Sequence, residues 1–95
     1  MWAVTFSRRA AKQVKALGTP QFVVVIERLL RLVADIRANG PVRRNWRNFT
    51  HITNGGFHCH IRRGKPTYVA VWYILNEVTK KVEITYVGTH EGAPY

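Results

Sequence analysis

The stretch Phe57-His58-Cys59-His60-Ile61-Arg62-Arg63 concentrates two imidazoles, a thiol and two guanidiniums in seven residues. Imidazole, with an ordinary pKa of about 6.5, gives or takes a proton near neutral pH, and arginine grips phosphate oxygens in bidentate fashion. Together they suit transfer at a phosphodiester. A base takes the proton of an RNA 2′-hydroxyl, that oxygen attacks the adjacent phosphorus, an acid protonates the departing 5′-oxygen, and cations hold the developing charge. The RNA supplies its own nucleophile, so neither a metal nor a cofactor is expected. A metal site would need His58 and His60 to be joined by His90 or His51, among Arg62, Arg63 and Lys65, with no carboxylate nearby to offset a dication. The bland alternative is a solvated strand face that is merely rich in nitrogen.

Side chains alternate across a strand, so Phe57, Cys59 and Ile61 are expected on one face and His58, His60 and Arg62 on the other. Cys59 then reads as a small buried apolar side chain. The C-terminal run Val87-Gly88-Thr89-His90-Glu91-Gly92-Ala93-Pro94-Tyr95 leaves the last strand carrying a histidine, a carboxylate and a terminal tyrosine. Polar ends usually fray. One that carries His90 and Tyr95 beside a basic sheet reads as part of a site.

Trp2, Val4 and Phe6 alternate as a short first strand, and Ser7 then caps a helix from Arg8 to Leu17 that stops at Gly18. Arg8, Lys12 and Lys15 share one face of it, and Ala10, Val14 and Leu17 another. Thr19-Pro20 starts a longer helix through Val25, Ile26, Leu29, Leu32, Val33 and Ile36, ending near Asn39-Gly40-Pro41. Val23, Val24 and Leu30 widen its apolar stripe, either to cover the sheet and pack on the first helix or to dock a partner helix. Val42 to Asn48 is an arginine-rich surface loop in which Trp46, like Phe49 just beyond it, is expected to reach the core. Strands follow at Phe57 to Arg63, Thr67 to Leu75 and Val82 to Val87, the middle one apolar enough to be buried on both faces. The order β-α-α-β-β-β makes an α+β domain, 1–95, an antiparallel sheet with two helices packed on one face and the other face free for function.

A chain of 95 residues with 46% hydrophobic and 12% aromatic residues forms one small core. Fifteen Lys+Arg against five Asp+Glu leave +10 at pH 7, which draws RNA, DNA or an acidic protein. One cysteine makes no internal disulfide, the longest apolar run (Phe22 to Ile26) falls short of the roughly 20 residues that span a bilayer, and Met1 to Arg9 shows no cleavage-site pattern. The expectation is a cytoplasmic protein without membrane contact.

These residues resemble the RelE/ParE superfamily of bacterial toxins from type II toxin–antitoxin systems. The resemblance covers nearly the whole chain and rests on the element order, on Phe57-His58-Cys59-His60-Ile61 followed by Tyr68-Val69-Ala70-Val71-Trp72-Tyr73, and on Gly88-Thr89-His90. It looks closest to YafQ-type members, with a Cys/Ala-His-Ile motif in the third strand and a last strand ending in Gly-Thr-His. The resemblance implies a ribosome-dependent endoribonuclease that cuts mRNA in the A site and is neutralised by an antitoxin encoded beside it; oligomeric state stays open. It makes His60 and His90 the acid/base pair, with His51 a third member and Tyr95 positioning the substrate by stacking on a base or holding the 2′-hydroxyl. Where YafQ-like proteins carry an aspartate four residues after the motif histidine, this chain has Gly64 and then Lys65. Arg62, Arg63 and Lys65, with His58, are therefore expected to hold phosphate, and Arg8, Lys12, Lys15 and the Arg43-Arg44-Arg47 segment to bind ribosomal RNA and mRNA. The alternatives are a ParE-like inhibitor of DNA gyrase acting by binding, and a non-catalytic RNA-binding or metal-binding module.

Overall fold

The computed structural model describes residues 1–95. Its order is β1 (Ala3–Phe6), α1 (Arg8–Ala16), a 3-10 turn (Pro20–Phe22), α2 (Val23–Asn39), β2 (Thr50–Ile52), a 3-10 turn (Thr53–Gly55), β3 (Gly56–Arg62), β4 (Tyr68–Asn76) and β5 (Lys81–Thr89). The five strands form one sheet in the order β1-β5-β4-β3-β2. The α+β class expected from sequence is the one found, with two differences. A fifth strand, β2, pairs antiparallel with β3, and β1 joins β5 in parallel, so the sheet is mixed. β2 has three residues and no alternation to betray it.

Ser7 caps α1 as its position implies: its backbone is extended and its hydroxyl oxygen accepts from Ala10 N–H at 3.1 Å. Thr19-Pro20 opens the 3-10 turn and α2 begins at Val23. The helix ends where Gly40 takes φ 94, against the Trp2 indole, a conformation and a close approach that suit glycine. β1 pairs only with Lys81–Ile84, which leaves the rest of the β5 edge bare. α1 lies along that edge, and the Gln13 side-chain carbonyl accepts from Val87 N–H at 2.8 Å, so a strand donor meets a side chain in place of solvent.

The main core fills the space under α2. Val25, Leu29, Leu32, Val33 and Ile36 meet Phe57, Cys59, Ile61, Ala70, Trp72, Val82 and Ile84. Trp72 is fully buried with its indole N–H on the Pro41 carbonyl at 3.0 Å, and a core aromatic of this size typically carries about 3–5 kcal/mol. Trp46 and Phe49 pack against this core, as expected. Val23 and Leu30 do not: they are 53% and 60% exposed, on the side of α2 turned from the sheet, and Val24 is exposed with them.

The second sheet face is not left bare. Val69, Val71 and Tyr86 form a small apolar cluster there, with Ile52, Tyr73 and Ala93 packed on it. Tyr86 reaches this face because of a bulge: Val71 pairs Tyr86 and Trp72 pairs Ile84, so Thr85 is the extra residue and the alternation inverts. Plain alternation from Val82 to Val87 would have put Tyr86 beside Ile84, in the main core.

Candidate active site

β3 delivers the histidines as its two-residue period requires. Phe57, Cys59 and Ile61 enter the core, burial pushes the Cys59 thiol up so that it stays protonated, and His58 and His60 stand on the opposite face. His58 is only 6% exposed, not a solvated face residue. Thr50, opposite it on β2, meets its Nδ1 through Oγ1 at 2.6 Å, and its Nε2 is buried with no partner. Burial first, then the positive potential of His60 and His90, bring its pKa down to about 4. His58 is thus a buried imidazole with one nitrogen engaged, a different setting from the exposed phosphate-binding residue expected from sequence.

His90 arrives from the other end of the chain. The Tyr86 hydroxyl donates to the Thr89 carbonyl at 2.7 Å, directly over Gly88, where a Cβ would stand 2.7 Å from that hydroxyl oxygen. His90 N–H donates to the Thr67 carbonyl at 2.8 Å, and Gly92 and Ala93 turn the tail back on Thr89 and His90. The tail folds back onto the sheet, with Ala93 packed on the second apolar cluster. The His90 ring stands 5.3 Å from that of His60 and 6.3 Å from that of His58, and the Tyr95 ring lies 4.6 Å from His58. Burial first, and then Tyr86 and Cys59, push the Tyr95 phenol above its ordinary pKa. Burial, followed by His90, Arg47 and Arg63, lowers that of His60.

His60 sits between two cavities. One, of about 500 Å³, is bounded by His60, Gly64, Lys65, Pro66, Thr67, His90 and Glu91. The other, of about 190 Å³, lies toward α2 and gathers Arg28, Arg31, Arg47 and Arg63 around Trp46 and His60. A backbone bond from His60 N–H to the Arg47 carbonyl at 2.9 Å ties the arginine loop to this strand. The loop is shaped by Asp35, whose carboxylate accepts from Asn39 at 2.8 Å, Arg43 at 3.0 Å, Asn45 at 3.2 Å and the Trp46 indole at 2.8 Å. Burial alone would raise the Asp35 pKa, and these four bonds outweigh it and hold it at about 2.

The structure thus gathers His58, His60, His90, Tyr95 and Lys65, with Arg47 and Arg63 on the far side of His60. It does not gather the rest of the expected site. His51 is exposed on the opposite side of the sheet, its ring 5.0 Å from Phe57 and 5.7 Å from Phe49, because it pairs across from Phe57 in register. Arg43 is engaged by Asp35 and the Asn39 carbonyl, a structural role in place of a phosphate-binding one. Arg62 and Arg44 are exposed and line neither cavity. Lys12 lies on α1 in a separate depression with Arg8, Arg9 and Gln13. Three contributors had escaped the sequence reading. Arg28 and Arg31 are legible in hindsight as an i, i+3 pair on one helix face. Thr50 had no local signal at all.

The sequence matches no protein-family model and no curated protein. Three solved structures share its fold. The YoeB dimer of Staphylococcus aureus aligns with a TM-score of 0.73 at 15% identity, over 94% of this chain and 97% of that one. A metal-bound toxin from Helicobacter pylori follows at 0.69 and 16%, covering 96% and 97%. The archaeal RelE–RelB complex of Pyrococcus horikoshii gives 0.59 and 13%, covering 97% and 98%. The chain has the RelE/YoeB-type fold.

Proposed function

We propose that this protein is the toxin of a toxin–antitoxin pair and acts as a ribosome-dependent endoribonuclease, cutting mRNA without a metal. The observation that carries the reading is the pair His60 and His90, with rings 5.3 Å apart at the mouth of a cavity that also holds Lys65. A phosphodiester at that mouth lies within reach of both imidazoles. His60, whose lowered pKa keeps it neutral at pH 7, takes the proton of the 2′-hydroxyl. The 2′-oxygen then attacks phosphorus to give the 2′,3′-cyclic phosphate, and His90 acts as the acid that gives a proton to the departing 5′-oxygen. Lys65 stabilises the charge on the phosphoryl oxygens. Tyr95, beside His58 and His90, offers a ring on which a base can stack.

The second cavity supports the same substrate. Four guanidiniums around His60, from Arg28, Arg31, Arg47 and Arg63, form a track for the phosphates that flank the scissile one, and none of them has a carboxylate partner. The +10 charge suits a ribosomal setting and an acidic antitoxin alike. The antitoxin's dock is the apolar groove of about 500 Å³ lined by Leu17, Gly18, Thr19, Pro20, Val23 and Ile26. No helix of the chain is long and apolar enough to cross a membrane.

Primer extension on a defined mRNA held on purified ribosomes at fixed free Mg²⁺ tests this. Wild type should cut within A-site codons, and His60→Ala and His90→Ala should each lower the rate by about 10²–10⁴-fold while melting like wild type. No cleavage by wild type with ribosomes would overturn the reading and leave binding of gyrase or RNA as its replacement.

A further inference from the structure

The three histidines of the site meet a condition that proton transfer does not require. Two imidazoles suffice for acid and base, yet the nitrogens of His58, His60 and His90 that could ligate lie within 4.8 Å of one another. His58 is the informative member. It is more than nine-tenths buried, its Nδ1 is engaged by Thr50, and its Nε2 is buried without a partner on the face where the other two rings stand. A buried orphan nitrogen is costly to the fold unless something binds it. The Thr50 contact also does what outer-shell partners of metal-bound histidines do: it fixes ring orientation and, with the proton on Nδ1, leaves the Nε2 lone pair free.

We propose that His58, His60 and His90 form a three-imidazole site for a zinc-class divalent cation, and that its occupancy withholds the acid/base pair from RNA. Tetrahedral Zn²⁺ with bonds of about 2.0–2.1 Å needs donors about 3.4 Å apart. Buried His58 is the fixed anchor, and half-buried His60 and exposed His90 close the remaining gap. Neutral nitrogen donors select zinc, copper or nickel over magnesium or calcium. The fourth position faces the cavity lined by His60 and His90, where Glu91 supplies the one carboxylate able to offset the cation's charge. Bound metal takes the lone pairs of His60 and His90, any proton on the ligating nitrogen being released to solvent, so neither ring can exchange a proton with RNA. The inhibitory half of the proposal rests on the ribonuclease reading, whereas metal binding does not.

Isothermal titration with Zn²⁺ and the visible d–d spectrum with Co²⁺ test the binding half on the intact chain. One equivalent and a tetrahedral spectrum are expected, with affinity weakened about tenfold or more by His90→Ala, His60→Ala or His58→Gln and unchanged by His51→Ala, which faces away. His90 is exposed, so its removal leaves the core undisturbed and keeps the test valid if the His58 variant folds poorly. No binding, or binding that survives all three substitutions, overturns the site. In the cleavage assay Zn²⁺ should inhibit wild type and chelation should restore it, and His58→Gln, measured against its own uninhibited rate, should lose zinc sensitivity about tenfold. Zinc bound at the three histidines with cleavage unaffected overturns the inhibitory half alone. Zinc bound by a protein that never cleaves RNA leaves the site standing and removes the ribonuclease reading.

Discussion

Two partly or fully buried polar groups, Asp35 on α2 and His58 on β3, sit at opposite sides of the sheet and are treated in opposite ways. Asp35 is met by four donors, and its charged form is the one the fold stabilises. His58 has one nitrogen met and one orphaned, and the fold favours its neutral form by refusing to solvate the charged one. Both pKa values fall, for contrary reasons. Complete satisfaction of the Asp35 carboxylate marks a structural hub, the one that shapes the arginine loop, even though Nε of its partner Arg43 is, like His58 Nε2, buried without a partner. What sets His58 Nε2 apart is that two further imidazoles stand on the same face.

Asp35→Ala breaks the comparison on its structural side. It strands the Arg43 guanidinium and three further donors, so urea unfolding should show a loss of about 3–4 kcal/mol. A stability change under 1 kcal/mol would mean that the hub is decorative.

Acid titration of stability sharpens the comparison, because the two groups occupy different windows. Between pH 6.5 and 4 the unfolded chain protonates at the His58 position and the folded chain does not, so the unfolded state binds more protons and stability falls by about 2–3 kcal/mol on acidification. Below that, from 3.8 to about 2, Asp35 repeats the argument with a smaller drop of about 2 kcal/mol. His58→Gln, which keeps a partner for Thr50, should remove most of the upper step and spare the lower one. His60, lowered in the same direction, accounts for the remainder of the upper step.

Thr50→Val gives the smallest effect. Loss of one hydrogen bond should cost about 1 kcal/mol, and nitrogen NMR of the His58 ring should change from one tautomer to a mixture. A single unchanged tautomer would mean that Thr50 does not set it.

Much of the fold was legible because its rules are local. Ser7 and Gly40 end their helices through their own backbone preferences, the unbroken apolar run Tyr68-Val69-Ala70-Val71-Trp72 could only be a strand buried on both faces, and β3 put Cys59 and His60 on opposite sides by its two-residue period. The short β2 escaped because three residues hold no pattern, and its absence hid both the contact of Thr50 with His58 and the outward turn of His51. Arg43 read as a free cation because nothing local pairs it with an aspartate eight residues earlier on a different element.

The sequence by itself determined the α+β class, the basic charge and which histidines of β3 share a face, since each follows from composition or from a period of two or 3.6 residues. Only the tertiary structure decided that His90 and Tyr95 return to His58 and His60. That meeting depends on a bulge at Thr85 that turns Tyr86 to the histidine face, on a hydroxyl that seizes the Thr89 carbonyl over Gly88, and on a tail packed through Ala93 against Val69 and Val71. Register and chain path across thirty residues are set by long-range packing, and no local pattern encodes them.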